Sequence, residues 1–524
     1  MFIKIFLLLI FFAITIFIGL YFRKRAASVN DFVLGGRNVG PWLSAFSYAA
    51  TYFSAVVFVG FAGQFGWRFG MSAVWIGLGN AFIGSFMAWF ILGRRTRIMT
   101  NHLGSATMPE FFGSRYASSA LKIGASIIVF IFLVPYTASL YNGLSRLFAM
   151  AFNVNFVYCI IAIGIMTAIY VVAGGYFATA VNDFIQGMVM LGGIVAIIAV
   201  VLRDNGGFAA AVDSLARVED SGVSMTPGIF TSFFGPDPVS LLGVVILTSL
   251  GAWGLPQMVA RFYSIKNEKM ITKGAVVSTL FAIIVAGGCY FLGSFGRLYA
   301  DVVEVGANGG VVFDSIIPTI LSGFSDVMIG VIIVLVFASS ISTLSSLVMA
   351  SASTLTLDFL KGHVVKKMSD RQQLFIIRSL IVVFIVISSA IAIIQYKGGI
   401  TFIAQLMGIS WGALAGSFLA PFLYGLYWKR ASRASVWCCF IFGTVFMTLN
   451  ILARDMFPPL LQSPINAGAF TMLLGLLIIP VVSMFTKTPD KAVVDDAFSC
   501  YDETVVVSAR ESLGGNGKAL NTKG

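Results

Sequence analysis

The chain has 524 residues, of which 58% are hydrophobic and only 11% are charged. A soluble globular protein carries about 25% charged residues, so this composition excludes an ordinary water-soluble domain. The formal net charge is +12, but the basic residues are spread through short segments between apolar stretches. That distribution indicates membrane topology and does not indicate nucleic-acid binding.

Apolar stretches of roughly 20 residues recur along the chain, each long enough to cross about 30 Å of hydrocarbon. Thirteen of them are predicted to be membrane-spanning helices, at about 2–22, 41–65, 72–93, 122–150, 155–175, 181–202, 238–260, 274–296, 325–356, 374–396, 400–427, 434–453 and 466–485. A membrane β-barrel would need short strands of alternating polarity, which the sequence lacks. The sequence therefore predicts an all-α membrane protein with thirteen transmembrane helices.

Lys and Arg concentrate in alternate loops. If the N-terminus lies outside, 21 of them fall in cytoplasmic loops and six in external loops. This asymmetry predicts a multi-pass protein of the cytoplasmic membrane with its N-terminus outside and its C-terminus inside. The first span is followed by basic residues and has no small-residue cleavage site, so it is predicted to be a retained helix. Residues 1–487 are predicted to form the transmembrane domain, and the polar residues 488–524 a disordered cytoplasmic tail.

Two predicted spans carry polar residues at mid-depth, at 50–54 in the second span and at 339–346 in the ninth. Hydroxyls and free carbonyls at that depth are costly unless they line a cavity or hold an ion. Neutral oxygen ligands suit a weakly held alkali cation better than a divalent metal. These segments predict a cation-coupled transporter. A Ser/Thr stripe that only packs helices together is the alternative.

The second and seventh spans are predicted to be broken. Gly40-Pro41 begins the second, and Gly-Ala-Trp-Gly-Leu-Pro at 251–256 interrupts the seventh. Glycine loosens a helix and proline removes a backbone donor. The two spans are five apart, so breaks at corresponding positions predict two inverted five-helix halves with a binding site at the midplane. For each break taken singly, a simple proline kink is the alternative.

Several motifs resemble those of the sodium:solute symporter family, over about residues 5–485. They are Asp31 to Pro41, Gly174-Gly175-Tyr176 with Asp183 and Gln186, Gly254 to Phe262, the serine run of the ninth span, and Leu426 to Arg430. The resemblance implies thirteen helices with a 5+5 inverted-repeat core of the bacterial leucine-transporter type, at about residues 41–427. It also implies uptake driven by Na⁺ as the coupling ion.

The resemblance places a first Na⁺ site between the second and ninth spans. Its implied ligands are the backbone carbonyls of Ala50, Phe53 and Ser339 and the hydroxyls of Ser342 and Thr343. The spacing agrees, because residues three apart share one helix face.

The resemblance implies a second Na⁺ site one turn further along. Its implied ligands are Asp183, Ser345 and Ser346, and Ser342 also matches. The alternative for Asp183 is an acidic residue near a helix N-terminus, where the helix dipole favours negative charge.

The solute is expected beside the broken helices. The candidate residues are Tyr52, Ser54, Tyr136, Trp253, Gln257 and Gln405, with Trp411 a further candidate by position. Tyr136 matches a tyrosine of the proline-transporting branch, but Thr248 and Ala252 replace its Trp and Tyr, and Tyr52 replaces its Asp. Residues 50–55 are more similar to the pantothenate branch. No Lys or Arg is expected in the middle of a core span, so a solute carboxylate is predicted to dock near Ser54 at a freed helix end.

The sequence thus predicts a Na⁺-coupled symporter that imports a small carboxylate-bearing solute, such as proline or a pantothenate-like acid. A Na⁺-coupled sugar or polyol symporter is the alternative, and a membrane solute sensor is a further one, although the tail is too short for a signalling domain. The spans show no convergent nucleophile, acid/base pair or metal cluster, so the sequence does not predict an enzyme. The expected partners are the solute, Na⁺ and the lipid bilayer, without nucleic acid.

Overall fold

The computed structural model describes residues 2–22, 28–37, 39–220, 222–224, 226–266, 270–306, 309–365, 367–397 and 403–501. Within these ranges the chain is helical, and its only β-type pairings are isolated bridges. The α-helices in chain order are α1 Phe2–Tyr21, α2 Val29–Leu34, α3 Pro41–Tyr52, α4 Ala62–Phe69, α5 Val74–Gly79, α6 Arg94–His102, α7 Met108–Arg115, α8 Ser119–Phe152, α9 Phe156–Asp204, α10 Phe208–Ala216, α11 Pro238–Leu250, α12 Pro256–Tyr263, α13 Met270–Ser294, α14 Ile316–Ser322, α15 Asp326–Thr354, α16 Asp370–Lys397, α17 Ile403–Tyr427, α18 Arg433–Leu452, α19 Pro464–Phe485 and α20 Lys491–Ser499. Wider π-helical turns at Val56–Phe61, Asn80–Met87, Trp89–Gly93 and Leu355–Val364 extend α4, α5, α6 and α15.

Ten helical segments in the described residues are long and apolar enough to cross a membrane, and one bent pair makes an eleventh. The all-helical membrane architecture is therefore confirmed, whereas thirteen separate spans are not. Residues 41–65 divide between α3 and a helical run that continues to His102, and residues 155–175 form the first part of α9. This 49-residue helix is interrupted at Gly175, whose φ of 61° is open to glycine at little cost.

The helices pack in three groups. In the first, α13 lies along α3, α4 and α5, and in the second, α15 lies along α1, α8, α9 and α16. The third group is α17 with α18 and α19, which lies against α8 and α11. The broken second span therefore packs on α13 of the first group and, through α3, on α9 of the second, and its serine-rich partner α15 belongs to the second group.

Both predicted breaks are present. The helix α3 ends at Tyr52, Phe53 has an extended backbone (φ −110°, ψ 133°), and the helix resumes at Ala55. In the seventh span Leu255 is extended (φ −88°, ψ 121°), and the halves on either side of it are bent by 47°. Pro256 begins α12, where its missing N–H leaves no intrahelical bond unmade. Each break leaves backbone carbonyls without helical partners inside the bundle.

A short helix follows the last span. The apolar face of α20 packs against α6 and α7, and its Phe498 ring lies 4.9 Å from the guanidinium carbon of Arg115. Asp495 pairs with Lys429 at 3.5 Å. The prediction of a disordered tail from residue 488 is therefore wrong for residues 491–499, because their apolar and acidic side chains find partners. Residues 502–524 lie outside the described residues.

Candidate ion and solute site

Three backbone carbonyls converge on the hydroxyl of Thr343, in the middle of α15. Its Oγ1 lies 3.1 Å from the carbonyl oxygen of Thr51, 3.5 Å from that of Phe53 and 3.2 Å from that of Ser339. The first two carbonyls stand at the break after α3, where helical bonding stops. The structure thus brings together the candidates Phe53, Ser339 and Thr343, adds Thr51, and places Ala50 fully buried in the last turn of α3.

Ser342 lies beside Thr343 with its hydroxyl buried and without a hydrogen-bond partner among the described residues. An unsatisfied buried polar group costs about 1–3 kcal/mol, so such an atom commonly marks the place of an added partner. Together with the carbonyls around Thr343, it forms a set of neutral oxygen donors. That chemistry fits Na⁺, which needs oxygen ligands but no strong negative charge to be held and released.

A side chain of α15 also satisfies a backbone group on the C-terminal side of the break, where the helix resumes. Ser340 accepts a hydrogen bond from the backbone N–H of Ala55 at 3.0 Å and so caps the resumed helix. The Ala55 N–H is one of the backbone amides at the resumed helix end that were expected to attract a solute carboxylate. It already has Ser340 as its hydrogen-bond acceptor. The hydroxyl of Ser54, in the break itself, is buried without a partner among the described residues.

A buried ion pair stands next to this oxygen cluster. Asp183 is 0% exposed and Arg261 is 2% exposed, and they approach within 3.3 Å. Asp183 Oδ2 also accepts a hydrogen bond from the hydroxyl of Ser47, whereas its Oδ1 has no partner among the described residues. Arg261 Nη2 also donates to Thr51 Oγ1 at 2.8 Å and to the hydroxyl of Ser346. The sequence assigns Arg261 to a cytoplasmic loop just after the seventh span, whereas the structure places it buried in the last turn of α12 beside Asp183.

Of the residues implied for a second Na⁺ site, Asp183 and Ser346 share a side-chain partner, whereas Ser345 bonds to its own helix. Asp183 and Ser346 are linked through Arg261, and Ser346 also lies 3.2 Å from Thr51 Oγ1. Ser345 donates to the carbonyl of Ser342 at 2.8 Å, so its hydroxyl turns back to its own helix. A guanidinium therefore holds the oxygens that a second ion would use.

An aromatic cluster borders the break on the side of the third group of helices. The ring of Trp411 lies 5.9 Å from that of Tyr136 and 6.0 Å from that of Tyr52. The hydroxyl of Tyr52 donates to the carbonyl of Thr248 and lies 3.1 Å from Oδ1 of Asn80. Asn80 was not singled out in the sequence analysis, although it is the one amide side chain in the predicted span 72–93 and could have been noticed for that.

The remaining solute candidates stand just before the break of the seventh span, on α12 and on α17. Trp253 donates its indole N–H to the carbonyl of Ile83 at 3.0 Å. Gln257 lines a crevice near Arg261, and its Oε1 has no partner among the described residues. Gln405 is half-buried in the first turn of α17.

Two cavities lie at opposite ends of the bundle. One end of the bundle, here called the arginine-rich end, carries Arg37, Arg95, Arg97, Arg115 and Arg433. At this end a narrow crevice of about 40 Å³ is lined by Thr107, Tyr176, Gln257, Arg261 and Ser346, among others. At the far end a cavity of about 550 Å³ lies between the end of α8, the start of α9 and α14. The crevice at the arginine-rich end therefore reaches residues of the site, namely Gln257, Arg261 and Ser346.

A buried carboxylate lines the larger cavity. Asp314 is fully buried, lies 4.0 Å from Arg146 and accepts a hydrogen bond from the amide of Ile403 at 3.4 Å. Burial raises the pKa of the Asp314 carboxyl to about 7, against the opposing effect of Arg146 and the Ile403 amide.

A membrane helix bundle with two broken spans and an oxygen-lined site at their breaks is typical of membrane transport proteins. The family model of the sodium:solute symporters matches residues 32–443. The chain therefore belongs to the sodium:solute symporter family, as a multi-pass membrane protein with Na⁺ as its coupling ion.

Curated relatives cover nearly the whole chain. The osmoregulated proline transporter OpuE of Bacillus subtilis is 28% identical over 486 residues, which cover 92% of this chain and 95% of that protein. Sodium/proline symporter 2 of Staphylococcus saprophyticus is 28% identical over 503 residues, which cover 94% of both.

Two solved structures share the fold. A Na⁺-coupled sialic acid symporter in a substrate-bound, outward-open state matches with a TM-score of 0.72 at 18% identity, over 93% of this chain and 99% of that one. Mhp1, a transporter of the nucleobase-cation-symport-1 family, matches in a closed conformation with a TM-score of 0.51 at 14% identity, over 88% of this chain and 97% of that one. At these identities the likeness concerns the fold alone.

Proposed function

We propose that this chain is a Na⁺-coupled symporter that imports a small carboxylate-bearing solute, with proline or a similar amino acid as the first candidate. The observation that carries the proposal is the set of oxygens at the break, where the carbonyls of Thr51, Phe53 and Ser339 meet the hydroxyl of Thr343 beside the unpartnered hydroxyl of Ser342. The two relatives named for proline transport support the solute class.

The position of these oxygens provides the coupling. The carbonyls of Thr51 and Phe53 belong to the broken second span, which packs along α13 of the first group of helices. The carbonyl of Ser339 and the hydroxyls of Ser342 and Thr343 belong to α15 in the second group. An ion shared by both groups stabilises the arrangement in which they approach each other. Ion binding and the movement of one group against the other are then linked, as alternating access requires.

The finer architecture is part of the proposal. Thirteen spans arranged as a 5+5 inverted repeat would place the breaks after Tyr52 and at Leu255 in corresponding positions, which supports the repeat. The arginine-rich end is then cytoplasmic, with the N-terminus outside and the C-terminus inside. Residues 1–487 form the transport unit.

The solute is proposed to lie beside Ser54, against the paired rings of Tyr136 and Trp411. Their rings meet nearly edge to face with centres 5.9 Å apart, so together they form one apolar wall, and the buried hydroxyl of Ser54 lacks a partner among the described residues. Tyr52 is held by Thr248 and Asn80, so it shapes the pocket and its hydroxyl is not free to bind the solute. Because Tyr52, Thr248 and Ala252 depart from the proline branch, a pantothenate-like acid is the second solute of the same class.

The test is uptake into proteoliposomes that contain the purified full-length chain. We expect saturable, concentrative uptake of labelled L-proline under an inward Na⁺ gradient and none under an equal K⁺ gradient. Pantothenate, glucose and a polyol are tested as competitors, and L-prolinamide is the neutral match for L-proline. Uptake without Na⁺ dependence would reject the symporter function, and equal competition by the amide, or competition by the sugar alone, would reject carboxylate recognition.

A further inference from the structure

We infer that Arg261 is a tethered cation that competes with Na⁺ for the carboxylate of Asp183. The inference rests on the proposed Na⁺ symport and concerns the second ion. It assigns to this arginine the control of whether a second Na⁺ enters the site.

The guanidinium occupies the ligands that a second ion would need. It lies 3.3 Å from Asp183, donates to Thr51 Oγ1 at 2.8 Å and donates to the hydroxyl of Ser346. Asp183 Oδ1 and the hydroxyl of Ser342 lack partners among the described residues. Withdrawal of Arg261 would therefore release two hydroxyls and one carboxylate oxygen beside two oxygens that are already without partners.

Charge makes the two cations mutually exclusive. Asp183 carries one negative charge when ionised, and Arg261 neutralises it. A Na⁺ added next to the guanidinium would give this buried site a net positive charge, and like charges a few Å apart repel strongly where water is excluded. Na⁺ can bind Asp183 well only after the guanidinium has moved away.

The structure offers a place for the displaced guanidinium. Arg261 lines the crevice that opens towards the arginine-rich end, and Tyr176 lines it as well. The guanidinium carbon already lies 5.0 Å from the Tyr176 ring centre, within the range of a cation–π contact. A hydrogen bond of 2.7 Å between the hydroxyls of Tyr176 and Ser264 holds this ring in position.

The experiment measures Na⁺ binding without transport. The full-length chain and its Arg261→Gln variant are purified, and the thermal unfolding midpoint is followed against Na⁺ concentration, with choline replacing Na⁺ at constant ionic strength. We expect Arg261→Gln to reach half-maximal stabilisation at about tenfold lower Na⁺, because the competing charge is gone. Arg261→Lys keeps the charge with fewer hydrogen bonds, so it should shift in the same direction by a smaller factor.

Two further variants separate competition from a general effect. Adding Asp183→Asn to Arg261→Gln should abolish the gain in Na⁺ affinity, since the contested carboxylate is then absent. Arg297→Gln removes another buried arginine that pairs with an aspartate, at 2.9 Å from Asp220, and should leave the Na⁺ dependence unchanged. Unchanged or weaker Na⁺ binding in Arg261→Gln would overturn the inference, as would a gain that persists in the double variant. If Arg261→Gln does not fold, an unchanged Na⁺ dependence in Arg261→Lys would overturn it too.

The two proposals fail separately. If the wild-type chain accumulates solute with Na⁺ but the Arg261 variants bind Na⁺ as it does, the competition is rejected and the symporter function stands. If the wild-type chain shows no Na⁺-dependent uptake, the proposed function is rejected first.

Discussion

Two hydroxyls of α15 hydrogen-bond to the backbone on opposite sides of the break after Tyr52. Ser340 accepts the amide of Ala55, and Thr343 faces the carbonyls of Thr51 and Phe53. A broken helix inside a membrane protein persists only when neighbouring groups satisfy its freed backbone atoms. Here side chains of a single intact helix satisfy both ends, so α15 holds the break open.

Loss of an ion ligand should weaken Na⁺ dependence specifically. We expect Ser342→Ala and Thr343→Ala each to raise the Na⁺ concentration for half-maximal uptake by about tenfold or more, which corresponds to about 1.4 kcal/mol of ion binding. The measurement is initial uptake rate against Na⁺ concentration in proteoliposomes. Thr356→Ala is the matched control, because the Thr356 hydroxyl donates to Ala352 of its own helix. Equal Na⁺ dependence in all three variants would remove the case for this site.

Ser340 is unsuitable as a control in that series. Its hydroxyl caps the resumed helix, so Ser340→Ala leaves the Ala55 amide unpaired at mid-depth. We expect this variant to lower the unfolding temperature by several degrees, with a smaller effect on Na⁺ affinity than Ser342→Ala. Its midpoint of thermal unfolding checks the first expectation, and a strong loss of Na⁺ affinity without loss of stability would contradict both.

The oxygen donors of the proposed Na⁺ site could be predicted from the sequence, but the buried guanidinium of Arg261 beside them could not. Ser and Thr at mid-depth stand out because a membrane helix rarely carries them there without a partner or a cavity. Arg261 follows an apolar stretch directly, so by hydropathy it resembles any basic residue at the end of a span. Only the bend at Leu255 turns it inward, although Gln257 and Arg261 are one helical turn apart and share a face.

At the scale of elements, α4 and α13 cross without side chains between them. A Cβ added to Gly293 would lie 1.9 Å from the carbonyl oxygen of Ala62, and one added to Gly66 would lie 2.0 Å from the carbonyl carbon of Gly293. Such close approach is available only to glycine. It fixes the resumed half of the broken span to α13, so the two are expected to move as one body.

A methyl group at this crossing should separate the two helices. We expect Gly293→Ala to destabilise the protein by about 3 kcal/mol, since the clash is with backbone and cannot be relieved by a rotamer change. Gly287→Ala, in the same helix, is the control because nothing lies within 4 Å of its added Cβ. Thermal unfolding of the two purified variants checks the expectation. Equal unfolding temperatures would show that the crossing is not tight.

The positions of the breaks could be predicted, and the number of separate spans could not. Gly, Pro and polar residues cluster at both breaks, and their backbone preferences act locally. The division of the chain into thirteen spans depends on where each helix ends, and helix ends are set by tertiary packing. The helix continues from Val56 to His102 through a tight turn at Gly70, whose φ is 60°, and α9 continues through Gly175 in a similar way.

At the scale of the whole molecule, Asp314 ties the segment before α15 to two helix groups. It pairs with Arg146 of α8 in the second group and accepts the amide of Ile403 of α17 in the third. The segment it belongs to also packs on α4 of the first group. Glu304 is the other acidic residue that lines the adjoining cavity. A single buried carboxylate thus lies where all three groups meet.

The pKa of Asp314 makes stability depend on pH. Its folded value of about 7 is above the ordinary 3.8, so between these values the folded state keeps a proton that the unfolded state releases. The stability from this group is therefore complete below about pH 4, falls as pH rises towards 7, and is constant above that. We expect Asp314→Asn to flatten the fall in unfolding temperature between pH 5 and 7. Asp301→Asn, exposed in the same loop, should retain the wild-type slope, and identical slopes in all three proteins would contradict the prediction.

The pairing of Arg261 with Asp183 also bears on how far a cell can concentrate its solute. One charge moving through about 100 mV releases about 2.3 kcal/mol, and a tenfold Na⁺ gradient adds about 1.4 kcal/mol. A cycle in which the guanidinium keeps its carboxylate carries one ion and supports roughly 500-fold accumulation of a neutral solute, whereas a cycle in which a second ion displaces it supports about 10⁵-fold. Scarce external sodium favours the first cycle and abundant sodium the second. One arginine side chain would thus set how many Na⁺ ions are used per solute molecule. It would thereby also set the lowest external solute concentration from which the cell can accumulate the solute.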